Sequence, residues 1–354
     1  MNKKVIIAMS GGVDSSVAAF LMKEKGFDCI GATMKLYDND EIGISREKTC
    51  CSLDDIEDAR SVARRLSMPY YVFNFKEEFE EKVIRKFIST YENGGTPNPC
   101  IDCNRYLKFE KLFQRMSELE YNYVVTGHYA KIEENDGWFY LKKAVDDSKD
   151  QSYVLYSLTQ YQLSHILFPL GEYTKNEIRD IAEKQGFLNA RKKDSQDICF
   201  VPDGNYTDFI ERYTGKKYPP GDFVDINGKP IGKHQGIIRY TNGQRKGLGV
   251  AFGQPMYVAG KNIEKNTVTL CTNEELFSKE LKAVDFNWII PNPQNEIKCS
   301  ARVRYNMREK PVTAYINDDN SVNVVFDEPQ RAITRGQAVV LYDGDIVLGG
   351  GTIV

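Results

Sequence analysis

Three groups of residues in this chain have the types and spacing to do chemistry. The run Ser10-Gly11-Gly12-Val13-Asp14-Ser15-Ser16 falls where an apolar strand pattern gives way to a helical one. Backbone N–H groups and the helix dipole hold an anion at such a turn, and glycines let the backbone approach a phosphate closely. Ser10, Ser15 and Ser16 add hydroxyl donors, and Asp14 is suited either to engage a magnesium ion or to orient the neighbouring turn. The Gly-Lys-[Ser/Thr] ending of the nucleoside-triphosphatase P-loop is absent, so γ-phosphate transfer is not indicated. The second group, Thr96-Pro97-Asn98-Pro99-Cys100-Ile101-Asp102-Cys103-Asn104, sets two thiols three residues apart at a proline-rich turn leading into a helix, whose N-terminus favours thiolate. The third, Asp194-Ser195-Gln196-Asp197-Ile198-Cys199-Phe200, places another thiol in a polar setting.

The elements that must position these groups follow from hydrophobic periodicity. A strand at 5–9, a helix over about 15–25 and a strand at 29–34 predict parallel α/β structure. Ile56, Ala59, Val62, Ala63 and Leu66 share one helical face, a strand spans 70–75, and Phe79, Val83, Ile84 and Phe87 share another face. A strand at 123–126 follows the helix carrying Leu112, Phe113 and Met116, completing a doubly wound parallel sheet. After about Phe200 the composition turns to glycine, proline and tyrosine, which predicts a small central domain. From about residue 269, short β-rich runs separated by Asp-Asp-Asn and Asp-Gly turns predict a β-barrel or sandwich. The expected domains are 1–204, 205–268 and 269–354.

Composition narrows the class. The 354 residues are 41% hydrophobic, with no run near the roughly 20 apolar residues of a membrane span. The start turns glycine-rich too soon for a signal peptide, so a cytoplasmic location is expected. Eight cysteines, sparse and without a secretory signal, point to reactive or metal-binding thiols rather than a disulfide framework. Cys29, Cys271 and Cys299 read as small core residues, and adjacent Cys50 and Cys51 as structural or incidental. The net charge of -3 casts no vote on nucleic acid, because binding needs a local basic face.

The Ser-Gly-Gly-x-Asp-Ser turn resembles the pyrophosphate loop of enzymes that cleave ATP to AMP and pyrophosphate. With Thr96-Pro97-Asn98-Pro99 and Cys103, Thr126-Gly127-His128-Tyr129-Ala130, Lys149-Asp150-Gln151-Ser152-Tyr153 and 194–200 in the same order, the whole chain resembles the bacterial tRNA-specific 2-thiouridylase (MnmA) family. The resemblance implies a pyrophosphate-loop (adenine nucleotide α-hydrolase-like) domain, a central domain and a C-terminal β-barrel. It implies that ATP, with Mg2+, lies against Ala8, Met9, Ser10, Gly11, Gly12, Val13, Asp14, Ser15, Met34 and Gly127. ATP would adenylate the C2 oxygen of the wobble uridine. Cys199 would carry a persulfide, and Cys103 would be the nucleophile that frees its terminal sulfur and leaves a Cys103–Cys199 disulfide. Asn98, Pro99 and Cys100 would wall the target-base pocket, and His128, Lys149, Asp150, Gln151, Arg304, Tyr305 and Gln337 would contact tRNA. Implied partners are tRNAs for Lys, Glu and Gln, and a sulfur donor such as a cysteine desulfurase or a sulfur relay protein.

One departure opens a second route. The family's pattern has Asp where this chain has Cys100, so Cys100, Cys103 and Cys199 are an alternative ligand set for a [4Fe-4S] cluster with one iron open to sulfur. Two further readings compete: an amide-forming ligase with a pyrophosphate loop, and a non-catalytic RNA-binding protein with a structural metal. Arg302, Arg304, Arg308 and Lys310 fit either an RNA contact or one solvated strand face, and 234–249, with Arg239, Arg245 and Lys246, either a phosphate-contacting loop or an exposed turn.

Overall fold

The computed structural model describes residues 3–38, 53–192 and 198–354. Cys50, Cys51 and 194–197 lie outside the described residues. In chain order the first strands are β1 (Lys4–Ala8), β2 (Asp28–Lys35), β3 (Tyr70–Asn74) and β4 (Tyr123–Val125), then a hairpin of β5 (Lys131–Asn135) and β6 (Trp138–Lys142), then β7 (Ile166–Leu167). One sheet has the order β3-β2-β1-β4-β7, and all its neighbours are parallel. Its strands are apolar on both faces because both are covered. Val5, Ile7 and Val125 pack beneath the helices Val13–Glu24, Leu53–Arg65 and Lys175–Lys184, while Ile6 and Val124 pack against Phe109, Leu112 and Met116 of the helix over 99–118. This is the doubly wound sheet the periodicity predicts. Its strand order reverses between β1 and β4, and ligands of such sheets bind at the carboxyl ends of the strands flanking that switch. β1 runs into the turn at 10–16 and β4 into Thr126-Gly127-His128, so both motifs emerge at that crevice.

The middle of the chain forms β8 (Gly221–Val224), β9 (Pro230–His234), β10 (Tyr257–Asn262) and β11 (Thr267–Cys271), ordered β10-β11-β8-β9. Six longer strands follow: β12 (Phe277–Trp288), β13 (Glu296–Arg302), β14 (Lys310–Ile316), β15 (Val322–Arg331), β16 (Ala338–Asp343) and β17 (Ile346–Ile353). They pair antiparallel in the order β12-β15-β14-β13-β16-β17, and β17 returns to β12, closing a barrel around Ala283, Val312, Val324, Val339 and Leu341. Closure leaves the ring without a free edge. The β5–β6 hairpin, from the first half of the chain, joins this sheet beside β17 through Ile346 and Lys142. Among the described residues, no helix is long and apolar enough to cross a membrane.

Polar side chains fix the barrel on the parallel-sheet unit. Arg105 forms an ion pair with Asp285 of β12, and Asn287 Nδ2 donates to the carbonyls of Tyr156 (2.7 Å) and Leu158 (3.0 Å). Tyr153 Oη donates to the Ala338 carbonyl at 2.8 Å, and Arg302 reaches Asp150 at 3.0 Å. The Asp150 side chain is 1% exposed, and removing one partner of a buried pair strands the other charge. Arg302→Met should therefore lower unfolding free energy in urea by about 3 kcal/mol, and Asp150→Asn in the same chain should restore part of the loss. A single variant as stable as the parent would remove this pair from the interface.

Candidate active site

Close backbone packing shapes the turn after β1. Gly11 has φ +75°, and a Cβ there would lie 2.4 Å from the Asp55 carbonyl oxygen, so only glycine fits. Gly12 stands as N-cap of helix Val13–Glu24 with no side-chain cap, leaving the first-turn N–H groups directed at the crevice. Ser15 Oγ donates to the Gly12 carbonyl at 3.1 Å and accepts from the Ser10 N–H at 3.2 Å, which fixes the shape of the turn. A Cβ on Gly127 would lie 2.8 Å from the Ser15 nitrogen, so the β4 loop presses directly on the helix start. Ala8 ends β1, the Met9 and Val13 side chains are buried in the core, and Met34 is half-buried near the end of β2. The ten residues expected around ATP thus belong to β1, the turn and helix start after it, β2 and the β4 loop.

Asp14 is held by two side chains of the same unit. Lys175 Nζ donates to both its carboxylate oxygens (2.8 and 2.9 Å), and Tyr129 Oη donates to one of them at 2.8 Å. Lys175 is 6% exposed, so this ion pair is an internal brace of the turn. A second brace comes from 189–192. Asn189 Nδ2 donates to the Gly11 carbonyl (2.8 Å) and to Ser16 Oγ (2.9 Å), while Lys192 bonds Asp55 and Asp58, each at 2.6 Å. Sequence reasoning missed Lys175, Asn189 and Lys192. They lie more than 130 residues along the chain from the groups they hold, with no local pattern to expose them.

The thiols sit on the other side of the crevice. Cys100 is exposed and Cys103 half-buried at the start of the helix over 99–118, where Pro99 supplies the first helical residue. Burial pushes the Cys103 thiol up to about 11, Lys108 opposing the shift. Cys199 is half-buried; its carbonyl accepts from Tyr37 Oη at 2.9 Å, and Phe200 beside it packs edge-on to Phe79 and Phe87. Cys103, Cys199 and Met34 all pack against one apolar core. Among the described residues, no three His, Cys, Asp or Glu side chains gather as a metal site. Cys100, Cys103 and Cys199 are therefore not gathered into the donor set a [4Fe-4S] cluster requires.

Several residues expected on the RNA face point inward. His128 is 6% exposed, bonded to Thr126 Oγ1 at 2.7 Å and enclosed by Phe109 and Phe168; burial and then Lys108 push its imidazole well below the usual range, so it is neutral. Asp150 is buried, accepting from Ala144 N–H, Ser152 and Arg302. Gln151 Oε1 accepts from the Tyr129 N–H at 3.0 Å. Arg304 donates to the Ala332 carbonyl (2.8 Å) and Thr334 Oγ1 (2.7 Å), and Gln337 Nε2 to the carbonyls of Thr96 and Pro97. Arg302 and Arg304 thus do not belong to a solvated strand face. Lys149 is half-buried and Arg308 exposed, as are Arg245 and Lys246. Tyr305 is 38% exposed and within electrostatic reach of Cys100; Asn98 is half-buried and Pro99 buried on the same loop.

A pyrophosphate-loop domain followed by a small β-rich region and a closed β-barrel defines the class of this protein. Family models described as a tRNA methyl transferase HUP domain, a tRNA methyl transferase PRC-barrel domain and an aminomethyltransferase β-barrel domain match residues 3–203, 207–272 and 278–353. The tRNA-specific 2-thiouridylase MnmA of Clostridioides difficile (strain 630) is 51% identical over 356 residues, covering 100% of this chain and 98% of that protein. Proteins of the same name from Clostridium acetobutylicum (50%, all of both chains) and Acetivibrio thermocellus (51%, 99% of each) are similar throughout. The chain belongs to the tRNA-specific 2-thiouridylase family.

Two outcomes follow from this geometry. Gly11→Ala should weaken ATP binding about tenfold or more, since a strained backbone position costs roughly 1–3 kcal/mol; equilibrium binding checks it, and unchanged affinity would contradict the packing. Because the Cys103 thiol is raised, its neutral form dominates at pH 7, and its alkylation rate, resolved by peptide mapping, should keep rising to about pH 11. A plateau near pH 8.5 would contradict the enclosure of that sulfur.

Proposed function

We propose that this protein replaces the C2 oxygen of the wobble uridine in tRNA with sulfur, using ATP to activate the oxygen and a cysteine-borne sulfur to displace it. The observation that carries this reading is that Cys103 and Cys199 pack against the same apolar core as Met34 of β2, one of the residues expected to line the nucleotide. Nucleotide and sulfur chemistry therefore meet on one core. The names of the curated relatives supply the substrate class.

In this reading the first-turn N–H groups and the Ser10 hydroxyl hold the phosphates of ATP, and attack by the C2 oxygen on the α-phosphorus releases pyrophosphate. Magnesium supplies charge neutralisation on the phosphates. Asp14, braced by Lys175 and Tyr129, is the carboxylate of the turn that would face such an ion. The uridine must leave its stack, which an anticodon loop permits at modest cost, and exposed Tyr305 offers a ring for stacking.

Cys199 carries a persulfide from a sulfur-donor protein. Cys103 Sγ, giving up its proton as it reacts, attacks Cys199 Sγ, forming the Cys103–Cys199 disulfide and releasing hydrosulfide. The hydrosulfide adds at C2 and expels AMP, and an external dithiol then reduces the disulfide. By family, the acceptors are tRNAs for Lys, Glu and Gln. Methyl transfer, the activity in two model descriptions, would leave both the thiols and the pyrophosphate loop without a task.

The test is thiolation of a tRNA transcript with an unmodified wobble uridine, using ATP, a persulfide-loaded donor and iron-free protein purified without oxygen. The expected result is 2-thiouridine with one pyrophosphate released per sulfur incorporated. Thiolation that appears only after iron reconstitution would overturn the persulfide route, and pyrophosphate release without thiolation would overturn the substrate. Cys103→Ala supplied with persulfide-loaded donor should lose at least about 100-fold in thiolation while ATP affinity stays within about twofold. Retained activity would refute the nucleophile.

A further inference from the structure

We propose that Gln337 is a positioning residue for the thiol-bearing loop, through which the C-terminal barrel sets where Cys100 and Cys103 stand. Its side-chain nitrogen donates to the Thr96 carbonyl at 2.9 Å and the Pro97 carbonyl at 3.2 Å. A primary amide has two N–H donors, and here each has one of two consecutive carbonyls to satisfy. The neighbouring backbone completes the clamp: the Thr96 N–H donates to the Arg335 carbonyl at 2.8 Å. Gly336, at φ +88°, lies so close that a Cβ would stand 3.0 Å from the Thr96 oxygen and 3.1 Å from its nitrogen.

The clamp is anchored in the barrel. The Gly336 N–H donates to the Ile353 carbonyl and the Ile353 N–H to the Gln337 carbonyl, both at 2.8 Å, tying the turn to the end of β17. Arg304 holds the same turn from the other side through Ala332 and Thr334. From the central sheet, Lys261 Nζ lies 3.5 Å from the Gly95 carbonyl and donates to the Tyr240 carbonyl at 2.8 Å. Three successive carbonyls of the loop thus meet donors from outside the parallel-sheet unit.

Little slack separates the clamp from the thiols. Pro97 and Pro99 fix two of the φ angles in the four residues 97–100, and Pro99 begins the helix that bears Cys100 and Cys103. A displacement at Thr96 is therefore carried to the thiols rather than absorbed. The family's expected role for Gln337, an RNA contact, affects affinity; a positioning role affects the rate when RNA is saturating.

The effect on rate rests on the thiolation reading; the effect on the loop does not. Gln337→Glu keeps the shape, removes both donors and sets a carboxylate against two carbonyl oxygens. Gln337→Met removes the donors without adding charge and serves if the first variant folds poorly. Two quantities are measured on the full chain: the single-turnover thiolation rate at saturating ATP and tRNA with donor-supplied persulfide, and hydrogen exchange of the Thr96 amide without RNA. The expected result is a rate reduced about tenfold or more together with faster exchange at Thr96. A saturating rate equal to that of the parent, whatever happens to tRNA affinity, would overturn the proposal, as would unchanged exchange at Thr96. If the parent protein itself does not thiolate, the thiolation reading fails, and the exchange measurement alone decides whether Gln337 holds the loop.

Discussion

The packing of bare backbone against bare backbone at the carboxyl ends of β1 and β4 is the constraint on which the rest of this structure depends. The turn at 10–16 must leave N–H groups unpaired to receive phosphates, so its own hydrogen bonds, chiefly the Ser15 and Ser16 hydroxyls on the Gly12 carbonyl, are supplemented from outside it. Its support comes from contacts that allow no side chain, Gly11 on the Asp55 carbonyl and Gly127 on the Ser15 nitrogen, and from two polar braces. Lys175 fixes Asp14, and Asn189 fixes Gly11 and Ser16. An anion site prepared in this way binds its ligand without first reordering.

The same braces explain how distant parts of the chain take part in one reaction. Asn189 and Lys192 stop the chain at the nucleotide turn and at the helix Leu53–Arg65 shortly before Cys199, while Tyr37 and the ring of Phe200 hold Cys199 itself. Cys103 is held from the opposite direction. Its helix begins at Pro99, and the loop before it is fixed by donors from the central sheet and the barrel. Each thiol therefore has its own anchor, and the nucleotide crevice lies between elements that both anchors share.

Much of this was legible in the sequence where the cause is local. A strand, a glycine-rich turn and a helix start announce an anion site within ten residues, and alternating apolar runs announce barrel strands. Long-range partners show the limit. Cys-x-x-Cys states which donors exist but not whether a third converges on them. His128, Asp150, Arg304 and Gln337 carry the polar groups an RNA surface needs, yet buried carbonyls, hydroxyls and charges across the domain junction have engaged them first. The β5–β6 hairpin was invisible for the same reason: its place beside β17 is decided by a strand more than 200 residues away.

The claim that oxygen leaves the base as part of AMP is the centre of this account, and an isotope answers it most directly. A tRNA carrying 18O only at C2 of the wobble uridine is thiolated in a single turnover, and the AMP is examined by mass spectrometry. The account predicts one 18O in the AMP for each sulfur incorporated. Unlabelled AMP, with the heavy oxygen in water or kept in the RNA, would contradict activation of that oxygen by ATP.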